Sequence, residues 1–247
     1  MRVDQISTND ALVRSLRDLL AEAESEVLIA TQPKMLERIE DSLKQCYESG
    51  TFIALCVYAD AETAATYDYD DTATLVRAWD QELDTMLSVD HQRGVVGQLL
   101  EADEEEDVVG LEYDTERLYG MAFLQFMSQH WDEGEEVYVM DPPTLPYECV
   151  NLRDAALNTT LHLREDNTVG FDAEVRSAPA EEDEEWERLT GQLSTVRQSF
   201  VEPSTNSFFG EIGLVGYVED EGRVTMGGHG AYFEDYEARN IVLEPMS

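Results

Sequence analysis

The sequence predicts an α/β part followed by a β-rich part. Three observations carry this. A strand–helix–strand spacing occupies residues 26–58, a long helical apolar stripe occupies 114–131, and a strand-dominated pattern begins at residue 168. The 247 residues suffice for one large domain or two small ones. The pattern divides them into 1–165 and 166–247.

Asn9 or Asp10 is placed to cap a helix whose apolar stripe is Leu12, Val13, Leu16, Leu19 and Leu20. Glu26–Thr31 reads as a buried strand. Pro33 sits where a helix can begin, Met35, Leu36, Ile39, Leu43 and Cys46 supply its inner face, and Gly50 suits the position just past its end. Phe52–Tyr58 is a second continuous apolar run. Two such strands joined by a helix form a βαβ unit, so they are expected to be parallel and covered. Weaker strands are expected over 85–89, 93–99 and 108–112, with a solvated acidic loop, EADEEED (101–107), between the last two. One continuous helix is expected from Asp114 to Trp131, then a strand over 137–140 ended by the proline-rich DPPTLP, then a helix over 151–163. Strands follow over 168–175, 190–201, 208–218, 223–226 and 240–243, interrupted by the acidic EEDEEWE (181–187). No internal repeat is visible.

Sixteen basic residues against 54 acidic ones give a formal charge of −38. That self-repulsion opposes a compact state at low salt and is screened when the Debye length falls to about 3 Å in molar salt. Only Lys34 and Lys44 are lysines. Acid excess, scarce lysine and 43% hydrophobic content describe a folded protein of a salt-rich cytoplasm, not a disordered acidic tail. No Lys/Arg cluster is available to neutralise phosphates, which argues against direct nucleic-acid or membrane-surface binding. No run of about 18 apolar residues exists, so neither a signal peptide nor a membrane span is expected. Cys46, Cys56 and Cys149 sit among apolar neighbours and read as buried free thiols. They form no Cys-x-x-Cys pair and the four histidines are scattered, so no metal site is expected and no cofactor is implied.

The densest chemistry lies in RVTMGGHGAYFEDYEARNIVL (223–243). Gly227, Gly228 and Gly230 allow positive φ and close approach to the backbone. Glu234, Asp235 and Glu237 follow, beside Tyr232, Phe233 and Tyr236. Amides, carboxylates and ring faces together suit a neutral polyhydroxylated ligand, while an acidic hairpin loop is the plainer alternative. Trp79, Trp131 and Trp186 are read as packing residues.

This segment resembles the end of the effector domain of the archaeal TrmB family of sugar-responsive transcription regulators, in its haloarchaeal form. EVLIATQPKMLERIEDSLKQCYESGTFIALCVYAD (26–60), SVDHQRGVVGQLL (88–100), FMSQHWDEGEEVYVMDPPTLPYE (126–148) and TVRQSFVEPSTNSFF (195–209) fit in the same order. The resemblance implies a phospholipase-D-like α/β part in degenerate form. The active version needs two His-x-Lys motifs; this chain offers only His91-Gln92-Arg93, so no catalytic residue is expected. It also implies a mono- or disaccharide held between the two parts, with Gly228 presenting backbone, Glu234 accepting hydroxyl hydrogen bonds, and Asn206 of EPSTNSFF both donating and accepting. Gly227, His229 and Asp235 are secondary candidates. A complete family member begins with a winged helix-turn-helix and a coiled coil. Here the first helix leads directly into the effector domain, so the chain is expected to be either an excised effector domain or a protein lacking the reader. It is expected to sense a sugar, to signal to an attached or partner DNA-binding module or self-associate, and not to bind DNA itself. The rival readings are a phospholipase-D-like hydrolase built around His91 and a non-sensing interaction or dimerisation domain.

Overall fold

The computed structural model describes residues 2–99, 109–179, 185–207 and 210–246. The acidic loop expected over 101–107, and most of that over 181–187, lie outside these residues. The chain forms two compact units, 1–140 and 141–247.

The first unit is an eight-stranded mixed sheet with helices. Its strands are β1 (Arg2–Ile6), β2 (Glu26–Thr31), β3 (Phe52–Val57), β4 (Leu75–Ala78), β5 (Thr85–Val89), β6 (Arg93–Gly97), β7 (Gly110–Asp114) and β8 (Glu135–Val139). They lie in the order β1-β7-β6-β5-β2-β3-β4-β8. The helices are α1 (Asn9–Glu22), α2 (Pro33–Glu48), the short α3 (Ala61–Ala64) and α4 (Glu116–Gln125). Thr8, one residue earlier than expected, caps α1 by accepting from the Ala11 N–H. Pro33 starts α2, and Gly50 follows its end at φ +87°. As expected, β2 and β3 pair in parallel, from Glu26↔Phe52 to Thr31↔Val57, and every residue of both is buried.

Strand alternation divides these runs between two faces. Val27, Ile29, Ile53, Leu55 and Val57 join the core with the buried stripes of α1 and α2. Glu26 and Cys56 point the other way: the Tyr119 hydroxyl of α4 donates to Glu26 Oε1 at 2.8 Å, and Cys56 Sγ lies 3.3 Å from the His130 carbonyl. Each fully buried aliphatic side chain here contributes about 1.5–3 kcal/mol.

Several expectations are corrected. The helix expected over 114–131 is α-helical only to Gln125; Phe126–Trp131 is a π-helical turn, which places Phe126, His130 and Trp131 all in the interior. Two strands of this unit went unread. β1 is an edge strand with only Ile6 buried, so it lacks an apolar signal. β4 carries a buried Arg77, whose Nη1 donates to the Trp131 carbonyl at 2.8 Å.

The second unit is a strand ring with one helix. β9 (Tyr147–Glu148), β10 (Val169–Ser177), β11 (Glu187–Arg197), β12 (Gly213–Val218), β13 (Gly222–Gly227) and β14 (Tyr236–Pro245) follow the order β10-β11-β12-β13-β14-β9, and a further β10–β14 pairing closes the first five into a barrel. The helix α5 (Leu152–Arg164) puts Ala155 and Ala156 into the barrel core beside Phe171, Leu193, Leu214, Met226 and Leu243. The boundary expected near 165 therefore falls near 140, because α5 belongs to the barrel's core. β11 ends at Arg197 rather than 201, since Gln198–Val201 turns away, and β14 is longer than expected at both ends. The strand expected over 208–218 begins at Gly213; residues 208 and 209 lie outside the described residues.

Candidate functional site

The glycine turn joins β13 to β14, which pair in parallel through Met226↔Tyr236 and Gly227↔Glu237. Parallel neighbours usually need a crossover of a dozen or more residues. Here residues 228–235 suffice, and the glycines explain how. Gly230 sits at φ +75°, the left-handed region that favours glycine, while Gly227 and Gly228 stay outside it. A Cβ on Gly227 would lie 2.8 Å from Ala231 Cβ and 2.9 Å from both Glu234 Cδ and Oε2. One on Gly228 would meet Leu152 Cδ2, at the start of α5, at 3.3 Å. The glycines let the turn fold onto itself and onto α5.

Glu234 is half-buried in this turn. Its Oε2 accepts the Phe233 N–H at 3.2 Å, and its Oε1 would lie 3.8 Å from a Cβ on Gly213. The carboxylate thus sits against the end of β13 and the beginning of β12. Asn206 belongs to the connection that leads into Gly213. Arg197 pairs with Gly213 and Leu214 with Met226, so this connection and the glycine turn emerge at one end of the barrel. Buried Gln198 frames the connection: its Nε2 donates to the Val201 carbonyl at 2.9 Å, and its own carbonyl accepts from Thr205 N at 2.8 Å and Asn206 N at 3.2 Å. The buried Glu211 carboxylate accepts from Arg197 Nη1 at 2.6 Å and from the Ser207 N–H.

The secondary candidates have different settings. Asp235 is occupied structurally: its Oδ2 accepts the Thr225 N–H and hydroxyl, both at 2.8 Å, and its own N–H donates to Thr225 Oγ1 at 2.9 Å. The His229 ring is 97% exposed, with Nδ1 3.3 Å from Glu237 Oε1. Glu237 is buried and accepts from Arg176 Nη2 through both oxygens at 3.0 Å. Arg176 and Arg239 lie over the Trp186 ring at 4.7 and 4.0 Å, so that tryptophan, half-buried, stacks on guanidinium groups. Sequence reasoning missed Leu152 and Arg176 because each reaches the turn from a distant part of the chain, and Thr225 because its tie to Asp235 forms only when β13 and the turn fold together.

The N-terminus of α5 is also preorganised. Asn151 Oδ1 caps it by accepting the Asp154 N–H at 3.0 Å, and buried Asp154 accepts from Val150 N at 3.0 Å and Asn158 Nδ2 at 2.7 Å. Burial raises the Asp154 pKa against the pull of these donors.

In the N-terminal unit, His91 occupies the tip of the β5–β6 hairpin. Asp90 and His91 both adopt positive φ, 49° and 61°, and Gln92 N donates to the Val89 carbonyl at 3.1 Å, a mirror-image hairpin turn. The His91 Nε2 lies 3.6 Å from buried Glu26 and the ring lies edge-on to Tyr119. A shallow cavity of about 150 Å³ lies between α2 and residues 67–72, but Lys44 reaches Glu40 there at 3.0 Å and Asp71 at 3.5 Å, and it is remote in sequence and fold unit from the glycine turn. Among the described residues there is no metal-binding group of three or more His, Cys, Asp or Glu side chains, and no helix is long and apolar enough to cross a membrane. Burial pushes the Cys46 thiol up to about 11 and Cys56 to about 12, and raises Cys149 as well, so all three are poor nucleophiles.

Residues 2–138 match the family described as "Transcriptional regulator TrmB, EBD N-terminal subdomain", and residues 144–246 match "TrmB/TrmBL1, EBD C-terminal subdomain". The chain belongs to the TrmB family. The junction between these matches agrees with the division into units at 140. Among solved structures, TrmBL2, an archaeal chromatin protein with a novel mode of DNA binding, is similar at 17% identity and a TM-score of 0.45, covering 56% of this chain and 55% of that one. This TrmB-family chain thus spans about half the length of TrmBL2. The phospholipase D family member Nuc from Salmonella typhimurium is similar at 15% identity and a TM-score of 0.42, covering 56% of this chain and 98% of that one. NucT from Helicobacter pylori gives 12% identity and a TM-score of 0.41, covering 55% and 98%. No curated protein matches the sequence.

Proposed function

We propose that this TrmB-family chain is the ligand-sensing part of a transcription regulator, and that it binds a mono- or disaccharide at the glycine-turn end of its barrel. The observation that carries this reading is the seating of Glu234. Its carboxylate is held half-buried against the glycine backbones of β12 and β13, at the end of the barrel where the Asn206 connection also emerges. A seated carboxylate, with a side-chain amide on the connection that emerges at the same end, supplies the acceptors and donors that sugar hydroxyls require. Gly228 brings the turn's backbone close to α5, and Gly227 makes room for Glu234 itself. Asp235 and His229 act around this centre, Asp235 by holding the turn through Thr225. Occupancy would bias a DNA-binding module, attached or separate, through its different affinity for two arrangements of the regulator. The buried thiols and the acidic surface suit a reducing, salt-rich cytoplasm.

Calorimetric titration in molar KCl against hexoses and disaccharides tests the reading. Glu234→Ala is expected to weaken binding by about 1.5–3 kcal/mol, the range for hydrogen bonds to charged groups. Glu219→Ala, an exposed acid in the β12–β13 hairpin at the other end of these strands, is expected to leave affinity unchanged. Binding of no sugar by the wild type, or equal affinity in folded Glu234→Ala, overturns the reading.

A further inference from the structure

Tyr232 and Phe233 are the two most exposed large hydrophobic residues among those described, at 67% and 78%. Their rings meet edge-to-face with centroids 5.4 Å apart. Exposed pairs of this kind are costly on a surface otherwise dominated by carboxylates, and they are placed, not scattered. The segment is pinned on both sides. Before it, Ala231 is buried and its N–H donates to the Gly228 carbonyl at 2.9 Å. After it, Asp235 is tied to Thr225 through three hydrogen bonds. Between those anchors the Phe233 N–H donates to Glu234 Oε2 at 3.2 Å, which couples the aromatic pair to the carboxylate of the proposed site.

We infer that Tyr232 and Phe233 form a stacking platform that takes the C–H face of a pyranose ring whose hydroxyls are bound by Glu234. This rests on the sugar-binding reading above and narrows it: the preferred ligands are ring sugars with a contiguous apolar face, not open-chain polyols. Charge selects the occupant. A formal charge of −38 repels acidic partners, whereas a neutral sugar meets no such barrier and offers both hydroxyls for the carboxylate and an apolar face for the rings. Two neighbouring rings also match the size of one sugar rather than the much larger patch that a stable protein interface needs. The platform would thus act as a specificity-determining element, with Glu234 as its polar counterpart.

The test uses the full chain in molar KCl, with glucose, galactose and maltose as ring ligands and sorbitol as an open-chain control. Tyr232→Ala and Phe233→Ala are expected to weaken ring-sugar binding about five- to tenfold each, the scale of one aromatic contact. Both residues are exposed, so thermal melts should be unchanged. Sugar C–H proton resonances should move upfield on binding to the wild type, and less on binding to either variant. Sorbitol should bind more weakly than glucose in the wild type and lose little in the variants. If the wild type binds ring sugars and Glu234→Ala weakens them while both aromatic variants bind normally, the platform is overturned and the sugar site stands. Should those variants change only the oligomeric state, the pair is a protein interface and the inference fails. Absence of any sugar binding by the wild type removes both readings.

Discussion

The Glu234 carboxylate rests on Gly227 so closely that a Cβ there would lie 2.9 Å from its Cδ and Oε2. Glycine at 227 and acid at 234 are therefore one feature: the missing side chain is the space the carboxylate occupies. Since Ala231 Cβ would lie 2.8 Å away on the same side, Gly227→Ala has two neighbours to displace. The expected cost is about 1–3 kcal/mol of stability, the range for overpacking, together with loss of sugar affinity. Melting and calorimetry on one preparation check it. An alanine variant with wild-type stability and affinity would show that Glu234 moves aside freely.

Stability should rise steeply with salt. Between about 0.1 M and 2 M KCl the Debye length drops from roughly 10 Å to a few Å, which screens most of the repulsion behind the −38 charge. Cooperative unfolding or expansion on dialysis to low salt, reversed by molar KCl, is the expected outcome. A melting temperature that does not change across this range would count against it.

Asp90 anchors the β5–β6 hairpin to the start of β2. Burial opposes its charge, but the N–H groups of Glu24, Glu26 and Ser25 and the Ser25 hydroxyl outweigh burial and lower its pKa. A lowered folded-state pKa means stability that is present above the unfolded value near 3.9 and lost as the pH falls through the folded one. Asp90→Ala should cost about 2 kcal/mol at pH 7. The gap between variant and wild type, followed by chemical denaturation, should close as the pH is taken below about 4.

His130 behaves in the opposite chemical sense with the same pH direction. Burial lowers its pKa from 6.5 to about 4, and its Nδ1 is bonded to the Tyr58 hydroxyl at 2.9 Å. Between those values the unfolded chain binds a proton that the folded chain refuses, so stability falls on acidification, by at most about 3 kcal/mol from this group. The difference between wild type and His130→Leu should therefore shrink or reverse from pH 6.5 to 4.5. A difference independent of pH would show that His130 titrates normally.

The β2–α2–β3 unit was legible because its signals are local: Pro33 and Gly50 mark the helix ends and the strands are apolar throughout. β1 and β4 were not, because one exposes nearly every residue and the other buries an arginine whose partner, Trp131, is 54 residues away. α5 was read correctly as a helix but assigned to the wrong unit. Periodicity shows that one face of a helix is apolar, but it does not say which sheet that face meets, and here Ala155 and Ala156 meet the barrel. At the candidate site the glycine turn and Glu234 could be picked out from spacing. The collision that Gly227 avoids, the contact of Gly228 with Leu152 and the tie from Asp235 to Thr225 could not, since all three are properties of the folded turn.

Every other joint of the barrel is stitched by at least five residue pairs, whereas β13 and β14 share two. A ring opens at its weakest seam, so amide exchange should begin around residues 226–237 while β10 and the rest of β14 remain protected. The same seam holds Gly227 and is spanned by the loop that carries Glu234. A molecule gripped there would act as a rivet, and its presence would register as slower opening of the whole ring, not merely as a filled surface hollow.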